Sequence, residues 1–354
     1  MNGLHWRDLP AATLAALREG VVIPAHPLAL DARRAFDRAS QRALTRYYVD
    51  AGAGGLAVGV HTTQFAIREH GLHRPVLELA AETASAWTSR PLVLVAGAIG
   101  RTAQAVSEAR LARSLGYHAV LLSLAAMKGA GEDEIVAHCA AVAAEMPVVG
   151  FYLQPAVGGV ALSRRFWTRF AAIDNVVAIK VAPFDRYATL DVVFGVAAAG
   201  AEERIALYTG NDDHIVLDLA VPFVARVGGR EVELRFRGGL LGHWSVWTSG
   251  AVRLHARIRS ELAAGPPSRG LLALDAMVTD CNAALFDVAN GFAGCIAGCH
   301  EVLRRQGLME TNHCLDPREV LSLGQAEELD RVRAAYPELA DDDFVAANLS
   351  RWRG

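Results

Sequence analysis

No apolar run in this sequence approaches the roughly 20 residues that a membrane-spanning helix requires. The opening stretch Met1-Asn2-Gly3-Leu4-His5-Trp6-Arg7-Asp8 holds no signal-peptide core, so a cytoplasmic protein is expected. Neither charge sign is in excess. The net charge of -3 offers no broad attraction for nucleic acid or an anionic membrane, so neither is expected as a partner. Cysteine is sparse: five residues, an odd number in a long chain, argue for reduced thiols rather than a disulfide framework. Cys295 and Cys299 stand four apart with His300, His313 and Cys314 nearby, but no Cys-x-x-Cys knuckle accompanies them. The Cys-x-x-x-Cys-His run is one residue too long for haem attachment. Buried thiols on a helix are the expectation, with no metal and no other cofactor. A Gly-x-Gly-x-x-Gly turn after the first strand is also missing, which weakens a doubly wound dinucleotide-binding fold.

What the chain does have is a 52% hydrophobic composition, a length able to bury a large core, and a regular alternation of strand and helix patterns. Short apolar runs at Val21–Ala25, Gly55–Gly59, Pro91–Ala96, Ala119–Ser123, Pro147–Tyr152, Val176–Ala182, Ile205–Thr209 and Gly238–Val246 read as eight strands. Helical patterns over Asp31–Asp50, Arg74–Trp87, Thr102–Leu115, Glu132–Glu145, Ser163–Ala171, Arg186–Ala198 and Asp212–Ala220 separate them. The stretch around Gly228-Gly229 reads as irregular. Eight alternating units predict a (β/α)8 TIM barrel. Past Ala251 the pattern is helical only, and Gly265-Pro266-Pro267-Ser268 is a linker-like break. The expected organisation is a leader helix over 1–20, a barrel over 21–262, and a helical C-terminal extension over 263–354 packed on the barrel. Asp341-Asp342-Asp343 reads as a helix N-terminus, where carboxylates are favoured.

The most informative residue is Lys180, inside the β-branched run Val176-Val177-Ala178-Ile179-Lys180-Val181-Ala182. A lysine in a strand buried on both faces is costly, because low dielectric disfavours the ammonium. The same cost frees an amine for Schiff-base chemistry. For a lysine taken alone, the plainer reading is a strand-end side chain that reaches water or pairs with Asp185. Its surroundings decide. Barrel active sites lie at the C-terminal ends of the strands. There the assignment puts His26, His61, Thr62, Thr63, Tyr152, Lys180, Asn211, Asp212, His243 and Trp244. Tyr152 and Lys180 are one strand–helix–strand unit apart, so adjacent strands should point both into one mouth. A tyrosine there can shuttle protons and a threonine hydroxyl relay them, while the amides of a tight turn can hold a carboxylate.

These residues resemble the dihydrodipicolinate synthase / N-acetylneuraminate lyase family of Schiff-base aldolases, over roughly residues 20–260. Gly59-Val60-His61-Thr62-Thr63-Gln64 stands where that family has Gly-Thr-Thr-Gly-Glu. Phe151-Tyr152-Leu153-Gln154-Pro155 stands for Tyr-Asn-x-Pro, and Ala178-Ile179-Lys180 for Ile-Lys. Thr209-Gly210-Asn211-Asp212 is similar to Ser-Gly-Asp-Asp, and Gly242-His243-Trp244-Ser245-Val246 to Gly-Val-Ile-Ser-Val. The resemblance implies a homo-oligomeric barrel, a dimer or tetramer, that binds pyruvate or another 2-keto acid as an imine on Lys180. It makes Tyr152 the acid/base, Thr63 the relay, and the Thr62 and Thr63 amides the carboxylate holder. His61, His26, Gln154, Asn211, His243 and Trp244 complete the expected substrate-binding set.

The departures bear on the substrate. Val157 occupies the position of the synthases' acid-gripping arginine, and Leu124–Gly129 replaces the stretch that donates a tyrosine across subunits. Phe65 stands for the turn's glutamate, and Trp244 for a smaller apolar residue. The expected function is a Schiff-base lyase of aldolase or dehydratase type that is not a true dihydrodipicolinate synthase and takes a substrate with a non-acidic second portion. The alternative is a barrel that has lost catalysis and serves as a metabolite-binding or scaffold protein. A metal-dependent hydrolase is disfavoured, because no strand-end cluster of His with Asp or Glu has ligand-like spacing.

Overall fold

The structure, a computed structural model, describes residues 3–354; the first two residues of the predicted leader lie outside the described residues. The strands of the alternating part are β1 (Val22–Pro24), β2 (Gly55–Val58), β3 (Val93–Ala98), β4 (Ala119–Leu122), β5 (Val148–Leu153), β6 (Val176–Ala182) and β7 (Ala206–Thr209). A hairpin, β8 (Phe223–Val227) and β9 (Arg230–Leu234), precedes the eighth barrel strand, β10 (Phe236–Leu241). The parallel sheet runs in the order β1-β10-β7-β6-β5-β4-β3-β2, and the bridge Ala25↔Ala57 brings its two ends together. The fold is a (β/α)8 barrel. Its strands are near-continuous apolar runs because a parallel sheet is covered on both faces.

The helices are α1 (Ala11–Glu19), α2 (Arg38–Asp50), α3 (His73–Trp87), α4 (Thr102–Ser114), α5 (Glu132–Ala143), α6 (Arg164–Ala171), α7 (Arg186–Ala198), α8 (Ile215–Ala220), α9 (Thr248–Ala264), α10 (Arg269–Leu285), α11 (Cys295–Arg305), α12 (Gln325–Ala335) and α13 (Asp342–Arg353). Side-chain caps set several starts. Ser163 accepts from the Phe166 amide, Asp185 from Ala188, and Ser268 from Leu271. None of these helices is long and apolar enough to cross a membrane among the described residues.

Three expectations need correction. The helix placed from Asp31 begins at Arg38, because Asp37 caps it and accepts from the Ala39 and Ser40 amides. The stretch read as irregular is the β8–β9 hairpin, turned by Gly228 and Gly229 at φ +56° and +78°, the pair of positive angles that a tight two-residue turn requires. The eighth strand ends at Leu241, and His243–Ser245 form a 3-10 turn, so His243 and Trp244 leave the strand.

The chain divides into two compact units. The first comprises the segment ending at Val21, Pro91–Asn211 and Leu217–Leu240; the second comprises Val22–Arg90, Asp212–Val216 and Leu241–Gly354. Within the first, the β5–β6 pairing carries a bulge. Val148 pairs with Val176, but Val149 pairs with Ala178, so Val177 is the extra residue. From there on Phe151 stands opposite Lys180 and Tyr152 opposite Val181. A slip of one residue exchanges the two faces of a strand. Within the second unit, α13 lies on α2: Arg351 pairs with Asp50 at 2.6 Å, and Arg46 donates to the Trp352 carbonyl at 2.7 Å. Asp341, just ahead of α13, is buried and accepts from the Tyr47 hydroxyl, the Ser249 amide and Gln306.

Candidate active site

Lys180 is buried, near the C-terminal end of β6. Its Nζ lies over the Phe151 ring, 4.6 Å from the centroid. On the side of β7, Gly210 leaves room for the lysine stem. A Cβ there would sit 2.7 Å from Lys180 Cε, 2.9 Å from its Cγ and 2.8 Å from Ala182 Cβ. The amine is thus seated between an aromatic face and a bare backbone. The strand ends around it are tied by a buried polar network. Asp218 accepts from Arg186 at 2.6 Å, from Thr209 Oγ1 at 2.7 Å and from Asn211 Nδ2 at 3.0 Å. Asn211 also donates to Thr189 and accepts from the Phe184 amide. Asn211 is therefore fully enclosed and holds the β6 and β7 termini together.

The expectation that Tyr152 and Lys180 point into one mouth does not hold, and the bulge at Val177 is the reason. Tyr152 faces the helices. Its ring packs on Trp167 of α6 at 5.2 Å, and its hydroxyl donates to the Leu162 carbonyl and accepts from the Leu162 amide, both at 3.3 Å. A Cβ on Gly150, two residues earlier, would strike Phe170 of α6 at 2.6 Å, which marks the same face as the outer one. Burial raises the Tyr152 phenol above its ordinary range. Gln154 is buried just past β5, its carbonyl accepting from the Gly159 amide at 3.0 Å.

In the second unit, Thr62 and Thr63 are buried in the His61–Thr63 turn. The Thr63 hydroxyl is committed on both sides: it donates to the His26 carbonyl at 2.6 Å and accepts from the Gly59 amide at 2.9 Å, and the Thr63 amide donates to Val60. Thr62 Oγ1 lies beside Gly242. His61 is half-buried, edge-on to Phe65 at 5.9 Å. His26 is fully enclosed. The Gln41 amide, its oxygen held by the Ala29 N–H, donates to Nδ1 at 2.9 Å, and the Thr45 hydroxyl, its hydrogen spent on the Gln41 carbonyl, accepts from Nε2 at 2.9 Å. Burial lowers its pKa to about 4, keeping it neutral. With both nitrogens used, His26 builds the wall under the turn rather than contacting a ligand.

His243 and Trp244 line a cavity of about 20 Å³ with Trp247, Leu254 and Val278, room for one water and no more. The His243 amide donates to Asp212 at 2.9 Å, and burial lowers its ring pKa to about 4. Trp244 packs edge-on to His255 at 6.3 Å. Cys281, Cys299 and Cys314 are buried thiols, and burial pushes the first two up to about 12. Among the described residues, no group of three or more His, Cys, Asp or Glu is placed to hold a metal ion.

Sequence reasoning missed Phe151 and Gly210. Both stood inside quoted motifs. Phe151 was hidden by the tyrosine beside it, because spacing alone does not say which of two neighbours faces inward.

A family model described as the Dihydrodipicolinate synthetase family matches residues 19–229. No curated protein matches in sequence. Among solved structures, the chloride-inhibited dihydrodipicolinate synthase from Acinetobacter baumannii complexed with pyruvate is 20% identical, with a TM-score of 0.72 over 90% of this chain and 98% of that one. The dihydrodipicolinate synthase from Aquifex aeolicus is 18% identical, with a TM-score of 0.72 over 91% and 99%. CdNal from Clostridium difficile, in complex with mannosamine, is 15% identical, with a TM-score of 0.71 over 90% and 99%. At such identities the structures establish the barrel, and the family match over more than half of the sequence establishes the rest: the chain belongs to the dihydrodipicolinate synthetase family, whose members are class I aldolases and lyases acting through a Schiff base.

Proposed function

We propose that Lys180 is the Schiff-base lysine, that it takes a pyruvate-like 2-keto acid, and that the enzyme is not a dihydrodipicolinate synthase. The observation that supports this most is the buried amine itself, seated late in β6 with an aromatic face below it. Attack of the neutral amine on the keto carbon gives a carbinolamine, and uptake of one proton with loss of water gives the iminium, an electron sink for breaking or making the adjacent carbon bond. Val157 stands where the synthases carry arginine, which supports a substrate whose second portion is non-acidic. The carboxylate role of the Thr62–Thr63 turn and a donor role for His61 rest on the resemblance and on strand-end position. His61→Ala with unchanged turnover would reduce His61 to a turn residue.

The decisive experiment is borohydride reduction with a panel of 2-keto acids, pyruvate first, followed by peptide mass spectrometry. A reduced adduct on Lys180 supports the reading. No adduct with any member, on folded protein, favours the metabolite-binding reading. That second reading has its own support, since the Tyr152 hydroxyl is spent on Leu162 and the ring beside Lys180 has no hydroxyl. A homo-oligomer, dimer or tetramer, is proposed on the family's pattern and is tested by sedimentation.

A further inference from the structure

We propose that the Phe151 ring is the charge-holding wall of this site: it stabilises the cation at Lys180 Nζ, first as ammonium and then as iminium. The inference rests on the imine reading for its second half only. Three observations carry it. Nζ lies 4.6 Å from the ring centroid, within the range where an aromatic quadrupole attracts a cation. The two residues are register partners on neighbouring strands, so the contact is set by backbone pairing rather than by a chance rotamer. Both are buried, and on the β7 side Gly210 lies against the lysine stem, close enough that an added Cβ would meet Cε at 2.7 Å.

The chemistry gives this wall a pH signature. Iminium formation makes one C–N bond and breaks the carbonyl C–O bond, releasing water. Starting from ammonium, the charge at nitrogen is conserved, so the ring favours reactant and product alike. Starting from the neutral amine, one proton is taken up and a cation appears, so the ring favours the product alone. Weakening the ring therefore lowers the lysine's pKa and weakens keto-acid binding above that pKa by the same factor, while leaving binding below it unchanged. For a desolvated contact the factor is about tenfold, or about one pH unit.

The other titratable groups on elements packed against β6 are committed elsewhere. Tyr152 of β5 faces the helices, and the Tyr208 hydroxyl of β7 donates to Leu17 and accepts from Val21. Around α7, Asp185 accepts from Ala188, Arg186 pairs with Asp218, and Asp191 pairs with Arg164. A change confined to the Phe151 ring leaves them in place.

The test compares wild type with Phe151→Leu and with the full chain carrying 3,4,5-trifluorophenylalanine at position 151, which keeps the ring's shape but drains its negative face. Two readouts are followed against pH: carbamylation of Lys180 by cyanate without substrate, and the pyruvate concentration for half-maximal borohydride trapping. Phe151→Tyr, which keeps the ring face, should behave as wild type in both. The expected result is a pKa about one unit lower in the two ring-weakened proteins, with trapping about tenfold weaker only on the high-pH side. Equal pKa values and equal high-pH trapping in the fluorinated protein would overturn the inference. Loss of trapping in every protein with the cyanate shift intact would support the ring's hold on the ammonium and overturn the keto-acid reading alone.

Discussion

Replacing Gly210 by alanine tests whether the lysine is seated by shape. The backbone there has no positive φ, so the residue's freedom is not what demands glycine. Space is. The new methyl would sit 2.7 Å from Lys180 Cε, where ordinary contact begins at 3.4 Å, so the stem must yield by about 0.7 Å or the β7 end must shift. Overpacking of this kind costs about 1–3 kcal/mol. Loss of glycine's freedom in the unfolded chain returns about 0.4–1 kcal/mol. The net is about 1–2 kcal/mol of destabilisation, read from the urea midpoint. The effect on chemistry is larger, because misplacing a reacting group by nearly 1 Å costs on the order of 100-fold. Borohydride trapping with pyruvate should therefore slow far more than stability falls. Gly270→Ala in α10 is the control. Its Cβ would meet Arg257 at 3.6 Å and Ser268 at 3.8 Å, ordinary contacts, and alanine there is worth up to about 1 kcal/mol of helix propensity. If Gly210→Ala trapped at the wild-type rate with wild-type stability, the seating argument would be wrong.

Tyr152→Phe should cost about 1 kcal/mol, the Leu162 hydrogen bonds being neutral and 3.3 Å long, and should leave trapping of Lys180 within twofold of wild type; a hundredfold loss would return Tyr152 to the acid/base role. His26 has a folded pKa of about 4 against an ordinary 6.5, so the unfolded chain binds the extra proton in between. Stability from this group is complete above pH 6.5 and is lost as pH falls to about 4, by about 3 kcal/mol in all. His26→Gln should shallow the pH slope of the urea midpoint by close to one proton over that window, while an unchanged slope would mean that other groups set it. Asp218→Asn should destabilise by about 2 kcal/mol, less than a fully buried pair would lose because Arg186 is 41% exposed. Calorimetry showing no change in Tm would refute the network's role.

The barrel was legible because its signal is redundant. Seven runs rich in β-branched and aliphatic residues, each followed by a helix, survive errors of several residues at their ends. The hairpin was not legible, because the outer side of β8 and β9 is exposed and mostly charged, at Arg226, Arg230, Glu231 and Glu233, and a ribbon of two strands has only a thin apolar side to advertise. Its Gly-Gly turn is visible, but only Glu231-Val232-Glu233-Leu234 after it alternates; before it, exposed Val224 breaks the polar/apolar pattern. The histidines illustrate a different limit. His26, His61 and His243 share a strand-end position, yet His26 spends both nitrogens internally, His243 is buried beside a cavity large enough for one water, and only His61 retains partial exposure. Position along a strand does not reveal whether the ring turns toward the mouth or into the wall.

The lysine and its neighbour show why faces are harder to read than elements. Alternation assigns faces only while the pairing advances one residue for one residue, and a single bulge inverts the parity of everything beyond it. Val176-Val177 gives no outward sign of the bulge, since both valines are buried and either could be the paired one. Counting from Tyr152 to Lys180 therefore identified the right pair of strands and the wrong partner. The motif Phe151-Tyr152 hid the error, because both residues are aromatic and either fills a wall. What separates them is chemistry: a phenol beside the amine would move protons, whereas a phenyl ring can only hold charge. An enzyme with the second arrangement can stabilise its imine while drawing its protons from elsewhere. For that reason adduct formation and turnover in this chain should respond to different substitutions, the first to Phe151 and Gly210, the second to whichever donor the substrate meets.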